Sequence, residues 1–365
     1  MSPRTLHTRR EALALLAGAS GALALAPRVM EAAAEAHGSD RTGRQCPTLR
    51  GRRLSWLVGW SPGGGYDLYS RLLERPLERT LEAEVVVENV PGASGIVAAR
   101  RIARARPDGR TLGILNGGGL LLAPWSNPGF APDLEADFSV LGRILPHDQT
   151  LLVRTDSGFG ALADLVTAGR SRALVFGATG PTTINVLLTA VLEDLFGVQV
   201  EIVLGYPGSQ ELLASVERGD LDAAVIGDES AELMRALRPL LRFSAEGSDS
   251  GGAPPLLGPD GLLETQPALF PDPDRARADA AALDELMAVG RLVAAPRLPG
   301  SLASCLEAAV VSALADPELS AAAGRAGRSV RPASSSTALR HVRAAKVALP
   351  RFATRVERAI GRATR

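Results

Sequence analysis

From Leu54 onward the chain alternates short apolar runs with stretches of helical spacing, separated by glycine-rich breaks. Leu54–Trp60 reads as a buried strand, which Ser61-Pro62-Gly63-Gly64-Gly65 breaks. Leu68, Leu72, Leu73 and Leu77 then mark one face of a helix over 66–81. Glu84–Glu88 is a second strand, Asn89–Gly95 a loop and Ile96–Ala105 a helix. Thr111–Leu115 is a third strand, ending in Asn116-Gly117-Gly118-Gly119. The rhythm restarts after Leu151-Leu152-Val153, with strands at 173–177, 198–203 and 221–226 and helices over 182–196 and 209–216. Strands separated by helices imply βαβ units and mainly parallel sheets, here in two α/β lobes. Residues 244–275 are rich in Gly, Pro, Ser and Asp and read as loop. From Ala276 the chain is largely helical, with a strand at 291–295. The expected division is a linker over 37–53, lobe 1 over 54–145, lobe 2 over 146–275 and a C-terminal segment, 276–365, that returns to lobe 1.

Residues 1–36 do not read as the start of a fold. Arg4, Arg9 and Arg10 precede an uncharged run from Ala12 to Ala26, the pattern of an export signal. Thr8-Arg9-Arg10-Glu11-Ala12-Leu13 resembles the twin-arginine consensus. A periplasmic location follows, and such a compartment lets disulfides persist. The only cysteines are Cys46 and Cys305. They form either one bridge, tying the mature N-terminus to a late helix, or two separate thiols.

The composition excludes several classes. Forty basic and forty acidic side chains balance, so the basic stripe of a nucleic-acid binder is missing. Lys346 is the only lysine, which removes almost all lysine chemistry. Two isolated histidines in the fold, His147 and His341, make no His/Cys metal site. No GxGxxG, Walker-type Gly-Lys-Ser/Thr or GxSxG pattern is present, so no cofactor is expected. No apolar run has the length and clean flanks of a membrane span.

Ligands in open α/β sheets sit beyond the carboxyl ends of strands. Three such ends, 61–67, 116–119 and 177–183, are rich in glycine and hydroxyls. Backbone N–H groups at a following helix N-terminus suit an anion. Each loop alone is a plain turn; three of them over both lobes point to a cleft site. Asp67 is either a first-turn carboxylate that stabilises its helix or a cleft residue. Tyr66 and Trp125 line the cleft or belong to the core, and core is favoured for Trp60. A competing reading is an exported hydrolase-like enzyme using Asp67 or Asp228 as base, but no partner for such a base is visible.

Several segments together resemble the tripartite tricarboxylate transporter receptor (Bug) family. Ser61–Arg71 is similar to its PGGxxDxxxR segment, and Val85–Gly95 to its VVVENxPGAxG. Ala105–Leu112 is similar to APDGYTL, Gly205–Asp222 to GYxGS…ERGExD, and 293–318 to its C-terminal VAPxGxP…LADPE stretch. The resemblance implies an α/β, two-lobe periplasmic-binding-protein (Venus flytrap) fold with a cleft between lobes. It implies a non-enzymatic receptor that captures a small organic acid and hands it to a membrane permease; a receptor read by a membrane sensor is the variant of that reading. Position by position, it implies ligand contacts at Pro62, Gly63, Gly64, Gly65, Asp67, Asn116, Gly117, Thr179, Gly180, Thr182, Tyr206, Gly208 and Asp228. Departures are Gly180–Asn185, Arg110 where the family has Tyr, and Arg291 and Arg297 in a segment lighter in charge.

Overall fold

A computed structural model describes residues 46–126, 129, 131–181, 183–227, 236–244, 253–258 and 260–363. The segment read as an export signal, and Thr182 and Asp228 among the expected ligand contacts, lie outside the described residues.

The first sheet has the order β2-β1-β3-β10-β4, from β1 (Arg53–Val58), β2 (Glu84–Asn89), β3 (Thr111–Asn116), β4 (Phe138–Leu145) and β10 (Arg291–Pro296). β1 pairs parallel with both β2 and β3, whereas β10 runs antiparallel between β3 and β4. The second sheet repeats the plan as β7-β6-β8-β5-β9. Its strands are β5 (Gln149–Arg154), β6 (Ala173–Ala178), β7 (Gln199–Leu204), β8 (Ala223–Gly227) and β9 (Leu237–Phe243). Here β6 pairs parallel with β7 and β8, and β5 lies antiparallel to β8 and β9. Each lobe therefore has a parallel βαβ core extended by an antiparallel pair, a mixed sheet of the two-lobe fold expected. In both sheets the parallel strands end towards glycine-rich loops.

Helices cover the sheets where apolar spacing demands it. On the first lobe are α1 (Gly65–Leu81), α2 (Ile96–Ala103) and α3 (Gly117–Ser126). On the second are α4 (Leu162–Ser171), α5 (Ile184–Phe196) and α6 (Ser209–Arg218). α7 (Pro273–Val289), α8 (Gly300–Leu314), α9 (Pro317–Arg325), α10 (Ser335–Ala348) and α11 (Ala353–Ala363) follow. Trp56, Tyr69, Leu77, Ala309 and Val310 join α1 and α8 to one face of the first sheet. A larger cluster runs from Leu57 and Leu115 through Leu120, Leu286 and Met287 to Leu187 and Phe176, so it crosses both lobes. Each buried leucine there contributes about 1.5–3 kcal/mol relative to exposure.

Three expectations change. Gly117–Gly119 is not a loop: it opens α3, because the Asn116 side chain accepts the Gly119 N–H at 3.0 Å and caps the helix. The C-terminal segment does not return to lobe 1 alone. Val356 and Ala359 give α11 an apolar face, Ala359 packs with Val186, Ala190 and Ile202 of the second lobe, and Arg362 meets Glu193 at 2.8 Å. Arg355 reinforces this attachment by donating to Asp279 of α7 at 2.7 Å. Within 244–275, Leu262–Thr265 is a helical turn whose Leu262 and Leu263 are buried.

Candidate functional site: a cleft lined by strand-end loops

Loop 61–64 is held by Asp67. Its carboxylate accepts the Gly63 N–H at 2.9 Å, the Arg71 Nε–H at 3.0 Å and the Asn89 amide at 2.9 Å. The same Asn89 amide reaches the Trp60 carbonyl, also at 2.9 Å. Burial by itself would raise the Asp67 pKa. The hydrogen bonds from Arg71, Gly63 and Asn89, with the charge of Arg71, outweigh it and hold the carboxyl below its usual range. Asp67 thus acts on the loop from beneath and stays buried, while Pro62, Gly63 and Gly64 are exposed.

The loop after β2 bends sharply. Ala93 and Ser94 hold φ of 46° and 53°, and Gly92 and Gly95 are also at positive φ. Left-handed non-glycine residues cost about 1–3 kcal/mol each and gather where function over-determines the backbone. Gly95 has no room for a side chain: a Cβ there would lie 2.6 Å from the Trp60 ring, and one on Gly59 would lie 2.5 Å from the Gly95 Cα. Trp60 thereby connects loop 61–64 to loop 92–95. Its ring stacks on Tyr66 at 3.6 Å between centroids, and Tyr66 meets His147 edge-on at 6.5 Å.

The second lobe enters through Gly180. A Cβ on Gly180 would lie 3.1 Å from the Ser94 hydroxyl, so the two lobes approach each other here. Thr183 precedes α5, but its hydroxyl donates to the Gly180 carbonyl at 2.7 Å and caps no N–H. Thr179 is half-buried beside it. Tyr206 lies against β6, with its ring edge 2.9 Å from where a Cβ on Gly177 would be, and Gly208 precedes α6.

Four helices, α1, α2, α5 and α6, therefore begin at strand ends behind Gly64, Gly95, Thr183 and Gly208 without a side-chain cap. Uncapped N-termini offer N–H donors and the positive end of the helix dipole to an anion. The bridging contacts bring loops 61–64 and 92–95 and the segment around Gly180 into one continuous set. Asn116 and Gly117 stand apart from it: Asn116 caps α3, and Gly117 is packed against Val289 and Leu292. Ser94 and Trp60 join the set without having been expected as ligand contacts. The signal for Ser94 was present in Pro91-Gly92-Ala93-Ser94-Gly95, a turn of small residues directly after a parallel strand. Among the described residues no cluster of His, Cys, Asp and Glu could hold a metal ion, and no helix is long and apolar enough to cross a membrane.

Comparison with known proteins supplies an independent line. The family model described as tripartite tricarboxylate transporter family receptor matches residues 69–235. A UPF0065 protein from the tcbD–tcbE intergenic region of a Pseudomonas species is 28% identical over 191 residues, covering 51% of this chain and 56% of that protein. The chain spans about half the length of the curated relatives it matches. A Rhodopseudomonas palustris protein solved with adipate superimposes with a TM-score of 0.66 at 20% identity, over 84% of this chain and 97% of its own. MatC from the same organism, solved with bound malate, gives 0.61 at 21% identity, over 84% and 99%. At these identities the likeness is one of fold.

Proposed function

Because residues 69–235 match the tripartite tricarboxylate transporter receptor family, we propose that this chain is a member of it: an exported receptor for a small organic dicarboxylate, which it delivers to the membrane permease of such a system. The family's members are receptors, and this chain is a binder, not an enzyme. One observation carries the ligand class: uncapped helix N-termini and strand-end loops of both lobes converge where Ser94 approaches Gly180. Backbone donors of that kind hold a carboxylate without lysine. Malate and adipate in the two structural neighbours support the same class. The Cys46–Cys305 disulfide supports an oxidising compartment and hence export.

The test is native mass spectrometry of the mature protein followed by a thermal-shift series with mono-, di- and tricarboxylates. A dicarboxylate that is not consumed should raise the melting temperature in a dose-dependent way. Saturation at a hundred times Kd corresponds to about 2.7 kcal/mol of stabilisation. No shift with any acid, or a shift that fades as the compound is converted, overturns the proposal.

A further inference from the structure

One side chain of the second lobe holds an acceptor among the donors of the cleft. Asn185 is the second residue of α5, on its first turn behind Thr183. The segment before it faces the first lobe at both ends. Gly180 approaches Ser94, and a Cβ on Gly118, in α3, would lie 2.7 Å from Ile184 Cδ1. The Asn185 amide nitrogen donates to the Val225 carbonyl of β8. β6 and β8 run parallel with Gly177 opposite Ala224, so Val225 lies level with Ala178, the last residue of β6. Asn185 therefore stands at the carboxyl edge of the second sheet, where Thr179 and Gly180 leave β6.

That bond fixes the amide. A carbonyl only accepts, so Nδ2 faces Val225 and Oδ1 is turned away from the strand. Oδ1 accepts no hydrogen bond from the described residues, and with Asn185 half-buried it is open to a ligand. Satisfying Val225 takes one N–H; the amide brings in addition an acceptor of fixed orientation. A carboxylate carries only lone pairs and gains nothing from such an acceptor. It is suited instead to the uncapped N–H groups at the start of α5. Beside them, Oδ1 calls for a group with a hydrogen to give. A hydroxyl or ammonium on the carbon next to the carboxylate supplies it within one head group.

We propose that Asn185 is a specificity-determining residue, whose Oδ1 accepts from the 2-hydroxyl or 2-ammonium group of the bound dicarboxylate and so selects 2-substituted diacids over plain ones. This rests on the receptor reading above. Backbone donors hold the carboxylate, and Asn185 reads the neighbouring carbon.

Isothermal titration of the full mature protein tests it with two series: succinate, malate, aspartate and 2-methoxysuccinate, then adipate, 2-hydroxyadipate and 2-aminoadipate. In at least one series the hydroxy or amino acid should bind about tenfold or more tightly than the plain diacid, and the better of the two tells hydroxyl from ammonium. 2-Methoxysuccinate keeps the oxygen without a hydrogen to donate, and should bind no better than succinate. Asn185→Leu should bring the preferred acid to within about threefold of its plain counterpart, with the plain diacid itself changed by less than about threefold. Asn185→Ala, which lets water reach the Val225 carbonyl, gives the same reading if Asn185→Leu does not fold, and the ligand series on the wild type needs no variant. A plain diacid bound as tightly as its substituted forms overturns the assignment, as does 2-methoxysuccinate bound more tightly than succinate. Equal loss for plain and substituted acids in the variants shows a structural role only and overturns it too. A wild type that binds none of these compounds, nor any acid of the thermal-shift series, overturns the receptor reading and the Asn185 assignment with it. A wild type that binds acids without regard to the 2-substituent overturns the assignment alone.

Discussion

Asp284 lies on α7, the helix that leads from the second lobe back to β10, with other carboxylates around it. Burial, then the negative charges of Asp148 and Glu285, push its pKa up to about 7. A carboxyl whose folded pKa exceeds its unfolded value makes the folded state bind more protons. The fold is then most stable, as far as this group is concerned, below about pH 4 and loses stability as pH rises towards 7. Asp284→Asn removes the ionisation. It should therefore be more stable than wild type by about 2–4 kcal/mol at pH 8 and nearly equal to it close to pH 4. Urea denaturation of both proteins at the two pH values decides this; a difference that does not change with pH sinks it. Nothing in the sequence marks Asp284, because an acid within a helical run reads as solvent-facing until the packing of α7 is known. Asp67 shows the opposite case. Its position at a helix start was legible, and so was the choice between stabilising that helix and lining the cleft. What the sequence could not show is Asn89, twenty-two residues away, whose amide comes to the carboxylate only once β2 lies beside β1.

At the scale of elements, the parallel strands and the helices between them were legible because each combines apolar periodicity with a glycine-rich stop. Where local pattern and tertiary pairing disagree, legibility failed. Gly117–Gly119 looks like loop, yet Asn116 caps it into α3 and the tight contacts with Val289 and Ile184 leave space for nothing larger. β4 and β9 were not anticipated; Gly142 and Pro239 interrupt them, and each is a strand only by virtue of its distant antiparallel partner. The loops pointed to a shared cleft by their number over both lobes, but the contact through which two of them meet, Ser94 against Gly180, was not legible. That meeting gives a direct handle on closure. Gly180 does not hold a positive φ, so its own lobe tolerates a side chain there. The Ser94 hydroxyl, however, stands 3.1 Å from where the Cβ would be. Gly180→Val should leave the melting temperature of the unliganded protein within about 2 °C of wild type. The loop would be held away from Ser94, weakening dicarboxylate binding by about 1–3 kcal/mol, the usual cost of overpacking. Titration calorimetry together with small-angle scattering of the ligand-saturated protein measures both; unchanged affinity and an unchanged radius of gyration would mean that the approach of Ser94 to Gly180 plays no part in closure.

For the whole molecule the decisive covalent feature is the bond between Cys46 and Cys305, whose Cα atoms lie 5.5 Å apart and whose positions are separated by 259 residues. The sequence left bridge and separate thiols equally open, since two cysteines so far apart carry no spacing signal. Packing decides the pairing: both residues are buried in the cluster that holds Leu54, Trp56 and Tyr69 against α8. Almost the entire fold, including the second lobe, lies inside the loop that the bond closes. Constraining so long a loop in the unfolded chain is worth about 5 kcal/mol on chain entropy, and native bonds deliver about 2–5 kcal/mol when removed. Yet both anchors belong to the first lobe, so the bond leaves the approach of the two lobes free. Stability and binding should therefore separate. The Cys46→Ala, Cys305→Ala double variant should lose about 2–5 kcal/mol in guanidinium denaturation while keeping the wild-type Kd for its carboxylate under native conditions. Chain produced in a reducing cytoplasm should behave like this variant until it is oxidised, and addition of reductant to the oxidised protein should reproduce the loss. Equal denaturation midpoints with and without reductant would show that the bond adds nothing to the fold, and a weakened Kd at intact stability would show that it reaches the cleft after all.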